Sequence, residues 1–234
     1  MAERTLATER GFILYEDALA GHADAAWFSA QHWARQRRLR GGGRGDAWMV
    51  AGTDGDWVLR HYRRGGWAAK LSTDFYWWTG LECTRPWCEW RLLDSLYKQG
   101  LPVPQPLAAQ VRRHGLLYRG DLITRLIPDA RSLASRLQAS GIEGLPWRGI
   151  GACLRRFHAA GVQHADLNAH NILLDDQARV FLIDFDKSLR RTPAAAWQQA
   201  NLRRLRRSLR KLAPPSVIQT TVWNKLLEGY KETL

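Results

Sequence analysis

Apolar positions in the first half of this chain fall into short alternating runs, and in the second half into helical stripes. Phe12-Ile13-Leu14-Tyr15 reads as a strand. A short helical segment is expected over residues 25–34, anchored by Trp27, Phe28 and Trp33. Trp48-Met49-Val50 and the run 57–62 read as two further strands across the turn Thr53-Asp54-Gly55-Asp56. The period then changes. From Pro86, a residue suited to the first helical position, Trp90, Leu93, Leu96 and Tyr97 mark an apolar face until Gly100 ends the helix. Residues 101–106 are too proline-rich for a helix and form an extended connector. Strands follow over 107–112 and 116–127, turned at His114-Gly115, and Ile127-Pro128-Asp129 breaks the pattern. Helices are expected over 132–140 and 146–160, the second with Ile150, Leu154 and Phe157 on one face. Two apolar pieces, 172–174 and 180–183, make a hairpin around Asp175-Asp176. A helix over 194–211 has Leu202, Leu205, Leu209 and Leu212 on one face, Pro214-Pro215 stops it, and a last helix spans 217–230.

The hairpin carries the candidate chemistry. Asp166 and Asn171 lie on the polar loop before it, and Asp184 follows its second strand. Phosphoryl transfer from ATP needs one carboxylate to orient the attacking hydroxyl and accept its proton, and an Asn and a second Asp to hold magnesium on the phosphates. The stretch His164-Ala165-Asp166-Leu167-Asn168-Ala169-His170-Asn171, followed by Asp184-Phe185-Asp186, resembles the catalytic loop and metal motif of the protein-kinase-like superfamily. A polar turn capping a buried hairpin is the bland alternative. Three positions matching in residue type and spacing favour the chemistry.

Kinases also place a Lys on the third strand of a small lobe, paired with a Glu on the following helix. Val58-Leu59-Arg60 puts Arg60 in that position, with Glu89 as its partner. Arginine is always charged and grips phosphate bidentately, though it is not equivalent to lysine. Lys70 competes, but it follows Gly65-Gly66 in a loop. Gly41, Gly42 and Gly43 form a run whose N–H groups could approach phosphate, with a flexible turn as the alternative.

A formal net charge of +13 directs attention to polyanionic partners. No nucleic-acid-reading module is recognisable, so nucleic acid is not expected. Cys83, Cys88 and Cys153 form no CxxC pair, which argues against a disulfide scaffold or zinc site. No apolar stretch is long enough to span a membrane, and the N-terminus lacks a signal-peptide core. Arg203, Arg204, Arg206, Arg207, Arg210 and Lys211 cover the polar side of the helix over 194–211. Such a helix can lie on an anionic membrane. Alternatively its leucines pack inward and the arginines are solvated.

Over residues 38–211 the chain resembles the bacterial lipopolysaccharide kinase family, whose Kdo kinases act on 3-deoxy-D-manno-octulosonic acid. The resemblance rests on Leu59-Arg60-His61-Tyr62-Arg63-Arg64-Gly65-Gly66, Leu101-Pro102-Val103-Pro104 and the two motifs above. It implies an α+β, protein-kinase-like bilobal fold, with a small antiparallel-sheet N-lobe, one main helix and a reduced helical C-lobe. The implied limits are an N-terminal extension over 1–34, an N-lobe over 35–127, a hinge at 128–129 and a C-lobe over 130–234. No Ala-Pro-Glu motif follows Asp184, which argues for a minimal kinase of a small or lipid-linked acceptor. The implied reaction moves phosphate from ATP to the 4-hydroxyl of Kdo on a lipid A precursor, at the cytoplasmic face of the inner membrane. Asp166 is then the base, Asn171 and Asp184 are the Mg2+ ligands, and Arg60 with Glu89 forms the phosphate-binding pair. Arg63, Arg64, Lys70, Asn168 and His170 are candidate acceptor contacts. Asn168 stands where protein kinases carry a Lys, and Asp186 replaces a Gly, so the source of charge neutralisation stays open. A kinase of another sugar or an aminoglycoside shares this chemistry. A catalytically dead basic fold that binds anionic lipid is the reading from another class.

Overall fold

A computed structural model of the chain describes residues 3–17, 23–33, 36–39, 47–63, 74–212 and 222–232. The glycine run Gly41, Gly42 and Gly43, Arg64, Lys70 and the Pro214-Pro215 stop lie outside the described residues. The chain divides into two compact units, one comprising Met1–Ser95 with Pro104–Leu126, the other Leu96–Val103 with Ile127–Leu234.

The first unit is an eight-stranded antiparallel sheet with one long helix. Its strands are β1 (Glu3–Thr8), β2 (Gly11–Glu16), β3 (Gln36–Leu39), β4 (Ala47–Gly52), β5 (Gly55–His61), β6 (Tyr76–Trp77), β7 (Pro106–His114) and β8 (Leu117–Arg125). The order is β1-β2-β7-β8-β5-β4-β3, and β6 pairs with β8. The expected N-terminal extension therefore supplies two strands of this sheet. β1 and β3 were not anticipated because both are edge strands rich in charge, without an apolar alternation to announce them. The expected helix over 25–34 is instead two short 3-10 turns, Ala25–Phe28 and Ala30–His32. Their aromatics still anchor them. Phe28 is buried, and the Trp27 and Trp33 rings each lie 5.3 Å from the ring of Trp57. Helix α1 (Arg85–Lys98) buries Trp87, Trp90, Leu93 and Leu96. Tyr97, expected on that face, is 39% exposed, because the buried stripe steps by three from Trp87 and leaves it on the outer side.

The second unit is mainly helical. It holds β9 (Arg131–Ser132), α2 (Leu133–Ser140), α3 (Trp147–Ala159), β10 (Val162–Gln163), β11 (Ile172–Leu174), β12 (Val180–Leu182), β13 (Leu189–Arg190), α4 (Ala195–Leu209) and α5 (Trp223–Glu232). Ser132 caps α2 by accepting the Ser135 N–H. β11 pairs antiparallel with β12 and β9, which forms the expected hairpin. β10 pairs with β13, and Arg191 donates its N–H to the Gly161 carbonyl. That short ladder pins both ends of the stretch 164–188, so the candidate site is a closed excursion rather than a free loop. Leu202, Leu205 and Leu209 of α4 are buried, as the stripe predicted, while Leu212 is half-buried.

α3 and α5 meet at two glycines. A Cβ on Gly151 would come within 1.9 Å of the Leu226 carbonyl oxygen, and one on Gly229 within 2.1 Å of that of Arg148. Backbone thus touches backbone, and Arg148 ties the contact from outside through Glu228 at 2.7 Å. Beside it, His158 Nδ1 lies 2.7 Å from the Tyr230 hydroxyl. Burial pushes the His158 pKa down to about 4, with the Arg155 charge adding to the effect. Burial lowers His164 as well. Unfolded, a histidine titrates near 6.5, so as pH falls from there toward 4 the unfolded chain binds more protons and stability drops. Urea unfolding at pH 5 should give a stability about 2 kcal/mol below that at pH 7.5. His158→Asn should flatten the slope, whereas an unchanged slope would assign the effect to other groups.

Candidate active site

The loop between β10 and β11 is organised from within. His164, buried, accepts the Asp166 N–H at Nδ1 (3.1 Å) and donates from Nε2 to the Ile183 carbonyl (3.0 Å). These two bonds fix one neutral tautomer, in keeping with a pKa lowered by burial. Asn168 turns its carboxamide back on the loop. Nδ2 donates to the Asp166 carbonyl at 3.0 Å, and Oδ1 accepts the N–H groups of His170 (2.8 Å) and Asn171 (3.3 Å). The residue standing in the lysine position of protein kinases therefore shapes the loop. Asn171 also donates Nδ2 to the Asp166 carbonyl, at 2.9 Å, which leaves its Oδ1 for another partner. Its backbone carbonyl accepts the Ile183 N–H at 3.0 Å, which holds Asn171 beside the residue preceding Asp184.

Asp184 itself has φ of 64°, a left-handed conformation rare outside glycine. Strained backbone of this kind is retained where the surroundings impose it, often at functional sites. The residue that follows is firmly anchored. Phe185 is buried, with its ring 4.9 Å from that of His164 and 5.8 Å from that of Phe157. Asp166, Asn168, His170, Asn171 and Asp184 are thus brought onto one loop and hairpin. Asn171 and Asp184 offer a carboxamide oxygen and a carboxylate. Two hard oxygen donors of this kind suit Mg2+, which usually takes one or two carboxylates and fills its shell with phosphate and water. Among the described residues, no group of three or more His, Cys, Asp or Glu is placed to hold a metal.

Three residues that sequence reasoning gave no place in the site come from α4. Asn201, buried, accepts the His164 N–H at 3.1 Å and donates to the His164 carbonyl at 2.9 Å. Ser208 Oγ accepts the Ala169 N–H at 3.1 Å. Between them, Arg204 reaches the Asp166 carboxylate, with Nε and Nη2 at 2.9 and 2.8 Å from Oδ1. The spacing of 201, 204 and 208 puts all three on one helical face. That polar stripe beside the leucines was the available signal. It corrects the view of the α4 arginines as one basic surface. Arg204 faces the candidate base, and Arg206 is half-buried over the Trp223 ring at 5.5 Å. Arg203, Arg207 and Arg210 are exposed.

In the first unit the expected cation–carboxylate pair is formed. Arg60 Nη2 lies 2.5 Å from Glu89 Oε2, and the Tyr62 hydroxyl donates to the same oxygen at 2.5 Å. The Arg60 guanidinium also stacks over the Tyr62 ring, 4.8 Å from its centroid. Glu89 is 2% exposed and Arg60 23%, so the carboxylate is compensated while the guanidinium keeps access to solvent. Tyr62 was not anticipated. Its place is legible only once β5 is known to end beside α1. Arg63 is exposed.

The lipopolysaccharide kinase (Kdo/WaaP) family model matches residues 30–230. A 3-deoxy-D-manno-octulosonic acid kinase of Stenotrophomonas maltophilia (strain R551-3) is 49% identical over 203 residues, covering 86% of this chain and 81% of the relative. One from Xanthomonas campestris pv. campestris (strain B100) has the same identity and coverage. Among solved structures, one described as WaaP in complex with acyl carrier protein superposes with a TM-score of 0.59 at 16% identity, over 94% of this chain and 88% of that one. That likeness speaks for the fold alone, and it agrees with the expected α+β kinase-like class.

Glu89 gives a direct test of the first-unit pair. Glu89→Ala leaves a guanidinium and a phenol without their shared acceptor, so stability in urea should fall by about 3 kcal/mol. Tyr62→Phe should cost about 1 kcal/mol. A Glu89→Ala protein as stable as the parent would show that the pair adds nothing to the fold.

Proposed function

The chain belongs to the lipopolysaccharide kinase (Kdo/WaaP) family, and from that premise we propose that it phosphorylates the 4-hydroxyl of Kdo on a lipid A precursor. It is an ATP-dependent kinase of a sugar hydroxyl. The observation that carries the site assignment is the frame around His164. One neutral imidazole and one backbone hydrogen bond, from the Ile183 N–H to the Asn171 carbonyl, tie the Asp166 loop to the Asp184 turn, and the Asp166 side chain stays 53% exposed. Such a carboxylate is open to a bulky acceptor. Asp166 orients the sugar hydroxyl and takes its proton. Asn171 and Asp184 would hold Mg2+, which supplies charge neutralisation on the phosphates. Arg60, held by Glu89, serves the nucleotide phosphates, and its planar guanidinium suits them.

With Kdo-lipid, ATP and magnesium, mass analysis should find one added phosphate on the sugar, at its 4-hydroxyl. Asp166→Ala should lower turnover at least ~10²-fold with little change in nucleotide affinity. Labelling of an aminoglycoside or another sugar in place of Kdo-lipid would redirect the substrate assignment. A folded protein without ATP turnover would support the binding-only reading.

The acceptor is an anionic glycolipid, and peripheral contact with the cytoplasmic face of the inner membrane is part of the same proposal. No helix among the described residues is long and apolar enough to cross a membrane. Arg203 and Arg207 of α4, with Arg210 just past its end, are exposed cations available to an anionic leaflet. Each basic residue near such a surface contributes about 1 kcal/mol, so changing all three to Gln should weaken binding to anionic vesicles roughly 10²-fold at low salt. Raising salt to 1 M should mimic the change, since the Debye length falls to about 3 Å. Binding that ignores both would place the contact elsewhere. A candidate then is the edge formed by Trp77 and Leu116, which are 66% and 72% exposed.

A further inference from the structure

We propose that Arg204 is a positioning residue for the phosphoryl-transfer step, acting through Asp166. Both of its contacting nitrogens, Nε and Nη2, fall on the same carboxylate oxygen, Oδ1. A guanidinium that engages both oxygens would close the carboxylate to any other donor. One that engages Oδ1 alone fixes the plane of the group and leaves Oδ2 to accept from a sugar hydroxyl.

Stability does not account for this pair. The side chains are 45% and 53% exposed, and ion pairs in that setting contribute about 0–1 kcal/mol. Its geometry is nonetheless imposed, because Arg204 sits between two residues that are themselves committed to the loop. Asn201 holds the His164 backbone and Ser208 holds the Ala169 N–H, on the same helical face. The rotation of α4 about its axis therefore decides where the Arg204 guanidinium goes. The charge count points the same way. Asn168 uses its carboxamide within the loop and brings no positive charge to it, whereas Arg204 brings one from α4.

The inference rests on Asp166 being the base. In the step, the acceptor oxygen forms a bond to the γ-phosphorus and its proton passes to Asp166 Oδ2. The bond from that phosphorus to the β,γ-bridging oxygen breaks, and ADP leaves with the electron pair. Throughout, Arg204 stays on Oδ1 and keeps the carboxylate from rotating away. Misplacement of a reacting group by about 1 Å can cost ~10²-fold in rate, and this sets the expected scale.

The test is a double-mutant cycle read in kcat, with KM for ATP and thermal unfolding measured on every protein. Arg204→Ala should lower kcat about 10–10²-fold with KM for ATP unchanged. Arg204→Lys should recover part of the loss, and added guanidinium ion should partly restore Arg204→Ala. In an Asp166→Ala background, Arg204→Ala should change kcat little further, because both act through one carboxylate. A full additional loss there would overturn the proposal, as would wild-type kcat in Arg204→Ala. If Arg204→Ala fails to fold, Arg204→Gln and Arg204→Lys carry the same comparison. If Asp166→Ala itself keeps wild-type turnover, the base assignment fails, and that result is distinct from the failure of Arg204.

Discussion

One buried carboxamide bears most of the second unit's functional geometry. Strand β10 ends at Gln163, so the His164 peptide groups leave the ladder with a donor and an acceptor to satisfy away from water. A buried polar group left unpaired costs about 1–3 kcal/mol, and Asn201 meets both needs at once. With the backbone of His164 held, its buried ring packs beside Phe185. From there it fixes the Asp166 amide on one side and the Ile183 carbonyl on the other. The loop and the turn after β12 are therefore registered to each other by a residue that performs no chemistry.

The first unit solves a different problem, a buried carboxylate. α1 carries Glu89 among Trp87, Trp90 and Leu93, a setting hostile to an ionised group. Arg60 and Tyr62 meet at its Oε2, and the cation keeps enough exposure to act on something else. In both units a polar group deep in the structure holds a less buried group in one orientation.

Much of this was legible from the chain. The candidate loop around Asp166 and the Asp184 motif stand out because phosphoryl transfer constrains residue type and spacing together. Arg60 and Glu89 could be paired because one lies in an alternating strand and the other on a periodic helix. What escaped has physical causes. β1 and β3 are charged edge strands, and only pairing with a neighbour reveals them. Tyr97 was misplaced since it and Leu96 both fit a loose helical stripe, and Trp87 decides the phase. Arg204 looked like one of a surface set because its partner, Asp166, lies 38 residues away and no local period records it.

The glycine contact between α3 and α5 has a consequence for the order of synthesis. Neither helix can complete its packing alone, because each presents bare backbone where a side chain would ordinarily fill the gap. His158 and Tyr230, the hydrogen-bonded pair beside it, are 72 residues apart. A nascent chain would therefore carry α3, with its Gly151 and His158 face uncovered, for a long interval before α5 arrives. Long-range closure of this kind is slow and leaves apolar surface open to association in the meantime. The second unit is one that chaperones are expected to meet during translation, while the sheet of the first unit is already complete once β8 has emerged.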